Sequence, residues 1–318
     1  MCGIAGLIHR GGTGNIGGEL TSMLQALKHR GPDSAGFAVY GVPNAGELIM
    51  RFKVAEQEEM AEGFDIQRQV RERKDEVDQR IQAMGGEIVS QDAATEYAFR
   101  YQLKFSKGAM DEFGEYKRFA DYIEDVEGAE ILSLGRGLEL IKDLGDANTV
   151  SSQYKLGGFT GTHAIGHTRM ATESDVDIRS AHPYWAYPFT DVSVVHNGQL
   201  TNYWTFRREL ERRGNRFMSN CDSELIAVYL ADKIESGVDL EDAMHRSVDE
   251  LDGVFTYLVA TADRLGMAKD TMAAKPLVLY ESDEFIGIAS EEVAIRSVFK
   301  DEIDTWDPYE GEVMVWHN

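Results

Sequence analysis

The opening residues pair a short apolar run with a single helical stripe. Residues 2–8 are apolar, as a buried strand requires, and Leu20, Met23, Leu24 and Leu27 follow at i, i+3, i+4 and i+7, the spacing of one helix face. His29-Arg30-Gly31-Pro32-Asp33 breaks that helix, and residues 36–41 read as a strand. After about residue 54 Glu, Gln, Asp, Arg and Lys dominate, yet Met60, Phe64, Val70, Val77, Ile81 and Met84 recur near helical spacing. This predicts an amphipathic helix rather than a disordered acidic run. Gly85-Gly86 stops it, and two strand-like runs follow at 87–90 and 96–105. Phe119, Tyr122, Ile123 and Val126 then mark a second helix ahead of a strand at 130–134. Counted from a strand at 47–54, the order is β-α-β-β-α-β.

From about residue 157 the pattern changes again. Residues 164–166 and 192–195 read as buried strands, and a helix after Ser219 carries Leu225, Ile226, Tyr229 and Leu230 on its apolar face. Strand-like runs at 255–260, 277–280, 285–289 and 313–316 are separated by turns holding Asp, Gly, Pro or Lys. Strands at both ends therefore flank an inserted subdomain at about 55–150, whose element order is that of a ferredoxin-like split unit.

The 318 residues are 43% hydrophobic and 10% aromatic, enough for a sizeable core. A formal charge of −23 repels phosphate backbones and argues against nucleic acid as a partner. No stretch approaches the roughly 18 uncharged apolar residues of a membrane span, and the N-terminus lacks a charged region followed by an apolar run. A cytoplasmic protein without a membrane partner is expected. The two cysteines, Cys2 and Cys221, are too few for a disulfide scaffold, and no His/Cys spacing offers a metal site.

Cys2 carries the most informative chemistry. An initiator Met before a small residue is commonly removed, which would leave this cysteine at the amino terminus with its own base. An α-amino group titrates near about 7.7–8.0, against about 10.4 for lysine, so an appreciable fraction is free to accept the thiol proton. Read alone, Cys2 is more simply a small residue of a buried strand. Cys221, inside the chain, lacks the adjacent amine.

Cys2 opens a series of blocks: Cys2-Gly3-Ile4-Ala5-Gly6, His29-Arg30-Gly31-Pro32-Asp33-Ser34-Ala35-Gly36, Gly166-His167-Thr168-Arg169, His196-Asn197-Gly198 and Asp222-Ser223-Glu224. In that order they closely resemble the class II glutamine amidotransferases, whose glutaminase domain is an N-terminal-nucleophile hydrolase. The resemblance covers residues 1–45 and 157–318, about two thirds of the chain. It implies an α+β four-layer αββα sandwich with the insertion as a subdomain. It also implies roles: Cys2 as nucleophile, the Asn197 amide and Gly198 N–H as the oxyanion hole, and Arg169 against the substrate α-carboxylate. Asp222 would hold the α-ammonium, Thr172 would add a hydroxyl, and Arg30 would support the loop beside the nucleophile. An Arg fork suits a carboxylate, and preorganised donors suit a developing oxyanion. Asp33 and Ser34 shape the turn. His29, His167 and His196 read as structural or hydrogen-bonded orienters, since an N-terminal nucleophile needs no histidine. The chain departs from many relatives at Met170, where they carry an aromatic residue.

Residues 181–189, Ala-His-Pro-Tyr-Trp-Ala-Tyr-Pro-Phe, partly resemble the tryptophan and Gln-Pro-Phe segment of the glutamate synthase branch. The chain ends at Asn318 without room for a synthase domain, so the acceptor chemistry is expected elsewhere. The leading expectation is a glutaminase subunit supplying ammonia to a separate synthase subunit of glutamate synthase or N-methylglutamate synthase type. No dinucleotide fingerprint, Walker loop or metal cluster occurs, so no cofactor is expected in this chain, and flavin or iron–sulfur chemistry would belong to the partner. The insertion is either part of that interface or a solvated elaboration. Two rivals stand beside this reading: a stand-alone amidase on another γ-glutamyl substrate, and a non-catalytic regulatory or assembly subunit that kept the fold.

Overall fold

In the computed structural model all residues are described except 1, 58, 63, 107–109, 111–112, 171–177, 179–180 and 300–301. The chain runs β1 (Gly3–His9), α1 (Ile16–Ala26), β2 (Ser34–Tyr40), β3 (Glu47–Lys53), α2 (Phe64–Ala83), β4 (Glu87–Ala93), β5 (Ala98–Lys104), α3 (Phe113–Glu124) and β6 (Glu130–Gly135). It continues through β7 (Leu138–Leu144), α4 (Ala147–Gln153), β8 (His163–Arg169), β9 (Tyr184–Trp185), β10 (Ser193–Leu200), α5 (Tyr203–Arg212), α6 (Asp222–Glu235) and α7 (Leu240–Glu250). The last part holds β11 (Gly253–Ala260), β12 (Arg264–Lys269), β13 (Val278–Glu281), β14 (Phe285–Ala289), α8 (Glu292–Arg296) and β15 (Val313–His317).

Two antiparallel sheets pack face to face. One has the order β13-β14-β1-β8-β2-β7 and the other β15-β12-β11-β10-β9. Their inner faces meet where Gly6 lies against the Leu258 side chain and where the Tyr40 hydroxyl bonds Ser193 Oγ at 2.8 Å and Ala260 O at 2.8 Å. Helices α1, α4 and α8 cover the first sheet, α6 and α7 cover the second with α5 packed on α6, and this completes the four-layer α+β sandwich. The expected stripe of α1 faces inward, with Leu20, Met23, Leu24 and Leu27 fully buried and Asn15 Oδ1 capping Gly18 N at 3.1 Å. β1 is central in its sheet and covered on both faces, so it reads as a continuous apolar run rather than an alternation. The same logic applies to α6, buried from Ser223 to Ala231, because it is wedged between its sheet and two neighbouring helices.

The insertion forms a third sheet of order β4-β5-β3-β6, all pairs antiparallel, with α2 and α3 as its helices. Both the element order and the strand order are those of a ferredoxin-like unit. Its bounds differ from the composition-based 55–150. β3, before the acidic stretch, already belongs to the inserted sheet. Residues 138–150 carry β7, paired along its length with β2, and the start of α4, so they belong to the main body.

Buried charge joins the inserted unit to the main body. Glu139 of β7 accepts from Arg51 Nε at 2.8 Å and from Arg100 Nε at 2.9 Å and an Arg100 terminal nitrogen at 2.8 Å. Burial pushes the Glu139 carboxyl pKa up, and the two guanidiniums outweigh it and hold it below the ordinary value. Asp143, also on β7, accepts from the hydroxyls of Tyr97 at 3.2 Å and Tyr154 at 2.9 Å. Removing one member of such a cluster strands the others in low dielectric. Glu139→Ala is therefore expected to lower unfolding free energy by about 3–5 kcal/mol, read from the midpoint of urea denaturation. A loss within about 0.5 kcal/mol would show that water already screens the pair.

Candidate active site

Three strands and one turn converge on Cys2. β1 starts at Gly3, which pairs with Thr168 of β8, so continuing that register by one residue sets Cys2 opposite Arg169. On the other side of β8, Arg169 pairs with Ser34 of β2, and its carbonyl accepts from Asp33 N at 3.1 Å. The 29–33 turn lies directly on this backbone: a Cβ at Gly31 would sit 2.5 Å from the Arg169 carbonyl carbon. Only glycine lets the turn approach so closely.

The Cys2 carbonyl is held by two of the expected site residues. Arg30 Nε donates to it at 3.1 Å, and Asn197 Nδ2 donates at 3.1 Å. Arg30 is oriented by an ion pair with Glu291, which also accepts from His29 Nε2 at 3.0 Å. Burial raises the Glu291 carboxyl pKa, and the Arg30 and His29 contacts more than offset it. Ser290 completes the clamp. Its N–H donates to Ile4 O at 2.9 Å, while its hydroxyl accepts from Ile4 N at 3.0 Å and lies 3.5 Å from Asn197 Nδ2.

Gly198 follows from the pleat of β10. Opposite it, Phe255 spends both backbone groups on Asp270, donating to Oδ2 at 2.9 Å and accepting from N at 3.0 Å. Gly198 therefore turns its own N–H away from β11. Two residues on, the Leu200 N–H points the same way and donates to Asp222 Oδ2 at 2.9 Å. Gly198 has φ +146°, and a Cβ there would lie 2.1 Å from Val254 O, so glycine is required.

Asp222 is the first residue of α6, where the helix dipole favours an anion. It joins that helix to the strand bearing Asn197-Gly198 and keeps its second oxygen, Oδ1, 3.7 Å from His196 Nδ1. Behind it lies a buried histidine group. Ser223 Oγ bonds His182 Nε2 at 2.7 Å and His196 Nδ1 at 2.8 Å, and the His182 ring stacks on His167 with centroids 4.0 Å apart. Burial pushes the pKa of all three imidazoles down, His167 to about 3, so they are neutral at ordinary pH. Cys221 is a half-buried cysteine at the α6 N-cap, its pKa pushed up first by loss of solvation and then by Asp222. Thr172 lies outside the described residues, and Met170, 36% exposed, stands at the edge of that segment.

Residues 167–297 match the family described as the glutamine amidotransferase domain. Over 99% of both chains the protein is 38% identical to a Methanothermobacter thermautotrophicus protein that bears the name of a glutamine amidotransferase. It is 32% identical to the glutamine amidotransferase-like protein GlxB of Rhizobium meliloti, over 99% of this chain and 98% of that one. The chain belongs to the class II glutamine amidotransferases. The fold agrees: the whole chain superposes on the glutamine phosphoribosylpyrophosphate amidotransferase of B. subtilis with a TM-score of 0.60 at 16% identity, spanning 47% of that longer chain.

In this amidotransferase Cys2, Arg30, Asn197, Gly198, Arg169 and Asp222 gather at one end of the sandwich, linked by the contacts above. Ser290 and Glu291 were not anticipated. They follow β14 in a Ser-Glu-Glu run with no motif spacing, and only the pairing of β14 with β1 brings them to the site. The 181–189 segment contains the two-residue β9 at the edge beside β10, and Trp185 Nε1 donates to Phe189 O at 2.6 Å. Cavities of about 750 and 470 Å³ lie away from Cys2, at the junction with the inserted unit, and share Tyr116 and Arg136.

Proposed function

We propose that the protein hydrolyses the side-chain amide of glutamine through a γ-glutamyl thioester on Cys2 and supplies ammonia to a separate synthase subunit of glutamate synthase or N-methylglutamate synthase type. The observation that carries the first half is the double hold on the Cys2 carbonyl by Arg30 Nε and Asn197 Nδ2. It supports this reading because the two side chains proposed as supporting arginine and oxyanion donor both donate to the backbone of the residue proposed as nucleophile. The synthase half rests on the 181–189 segment and on a site of amidotransferase residues alone. Flavin or iron–sulfur chemistry would belong to the partner.

With Met1 removed, the free α-amine of Cys2 takes the thiol proton, and the thiolate sulfur attacks the glutamine side-chain carbonyl carbon. The carbonyl oxygen becomes an oxyanion held by the Asn197 amide and the Gly198 N–H. The C–N bond then breaks as the ammonium returns its proton to the leaving nitrogen, releasing ammonia and leaving the thioester. Water, deprotonated by the same amine, attacks the thioester. Glutamate departs and the thiol is restored. Arg169 pairs with the substrate α-carboxylate, Asp222 with its α-ammonium, and Thr172 adds a hydroxyl contact.

Asp222→Ala tests the recognition half. Loss of an ammonium acceptor weakens ground state and transition state alike, so glutamine KM is expected to rise about 10- to 100-fold with kcat within a fewfold. An unchanged glutamine dependence, measured by glutamate release, would contradict the role.

A further inference from the structure

Ser223, 1% exposed, sits between two imidazoles. Its Oγ lies 2.7 Å from His182 Nε2 and 2.8 Å from His196 Nδ1. Distances this short require a hydrogen in each gap, and a hydroxyl supplies only one. Its other contacts are longer, 3.4 Å to Asp222 Oδ1 and 3.5 Å to Cys221 Sγ. One ring therefore accepts from Ser223 and the other donates to it. The outer ring nitrogens, His182 Nδ1 and His196 Nε2, have no hydrogen-bond partner among the described residues, so the choice is made at Ser223. Asp222 decides it. Its Oδ1 lies 3.7 Å from His196 Nδ1, where a carboxylate attracts an N–H and repels a ring lone pair. His196 thus donates to Ser223 Oγ, and Ser223 donates to His182 Nε2.

This arrangement bears on one carboxylate oxygen. Asp222 Oδ2 is taken by Leu200 N at 2.9 Å, which leaves Oδ1 for a substrate ammonium. The His196 N–H is the competing donor, and Ser223 Oγ holds it at 2.8 Å against 3.7 Å to the carboxylate. Without the hydroxyl, that buried N–H has only Oδ1 to turn to, and leaving it unpaired is costly. We propose that Ser223 is a positioning residue for glutamine recognition: it engages the His196 N–H and so keeps Asp222 Oδ1 open to the α-ammonium. The effect falls on KM and requires Asp222. This inference rests on the glutaminase reading above and on the role given there to Asp222.

The test is steady-state glutamate release by the full chain, with the proposed synthase subunit where activity requires one, for wild type, Ser223→Ala, Asp222→Ala and the double variant. Ser223→Ala is expected to raise glutamine KM about 5- to 20-fold with kcat within about threefold. In the Asp222→Ala background the same change is expected to alter kcat/KM by less than about twofold, because the oxygen that the His196 N–H would block is gone. A merely structural loss would carry through both backgrounds. A Ser223→Ala enzyme with wild-type KM overturns the proposal, as does one whose defect persists in full without Asp222. If Ser223→Ala fails to fold, Ser223→Cys takes its place. A thiol is a weak acceptor, so KM is expected to rise by at least about threefold, and a wild-type KM overturns the proposal. Two results strike the earlier reading instead. Wild type that releases no glutamate even with the proposed subunit removes the glutaminase assignment, and Asp222→Ala with unchanged KM removes the carboxylate's role. A raised KM in Asp222→Ala beside a wild-type KM in Ser223→Ala removes this inference alone.

Discussion

Cys2→Ala is expected to abolish glutamine-dependent activity, by roughly a thousandfold or more, while ammonia-fed synthesis by the proposed complex with a synthase subunit continues at the wild-type rate. The variant removes the sulfur proposed to form the thioester and leaves the backbone that Arg30 and Asn197 grip. Arg30 and Asn197 hold the carbonyl of residue 2, not its side chain, so the alanine chain retains both bonds. β1 begins one residue later and keeps its pairing with β8 and β14. A selective loss of the glutamine-fed rate identifies the nucleophile. Loss of both rates would instead make Cys2 a structural residue of the complex.

The second large effect is expected from Asn197→Ala. Removing one oxyanion donor costs about 2.7–4 kcal/mol of transition-state stabilisation, a 100- to 1000-fold fall in kcat. The Gly198 N–H survives, since its direction is set by the pairing of Phe255 with Asp270 rather than by the Asn197 side chain. Glutamine KM is expected to stay within a fewfold, because the proposal assigns recognition of the amino-acid head group to Arg169 and Asp222 rather than to Asn197. Steady-state glutamate release separates the two parameters. A rise in KM at constant kcat would move Asn197 from transition-state stabilisation to substrate recognition.

The split between what the chain announces and what it conceals follows from separation and burial. Motif blocks are local, so Cys2, Arg30, Arg169, Asn197 and Asp222 can be read from short runs. Ser290 and Glu291 reach Ile4 and Arg30 across 286 and 261 residues, a proximity that exists only once β14 pairs with β1. β7 was hidden for a different reason. Its Glu139, Lys142 and Asp143 are buried charges, satisfied by Arg51 and Arg100, by Ala181 O, and by two tyrosines, and a strand that buries charge defeats a hydrophobic pattern. α7 buries Leu240, Ala243, Met244 and Ser247 at helical spacing, but two of the four are small or polar and give little periodic signal. The strand expected at 192–195 runs on to Leu200 because pairing with β11 carries the polar His196-Asn197-Gly198 run.

Intact mass of the purified chain, before and after treatment with a glutamine-mimicking diazoketone and with the proposed synthase-type partner present, tests the central claim most directly. The account predicts a chain lacking Met1 that gains a single adduct at Cys2. A chain that retains Met1 and takes up no adduct would contradict it and favour a subunit that keeps the fold without the chemistry.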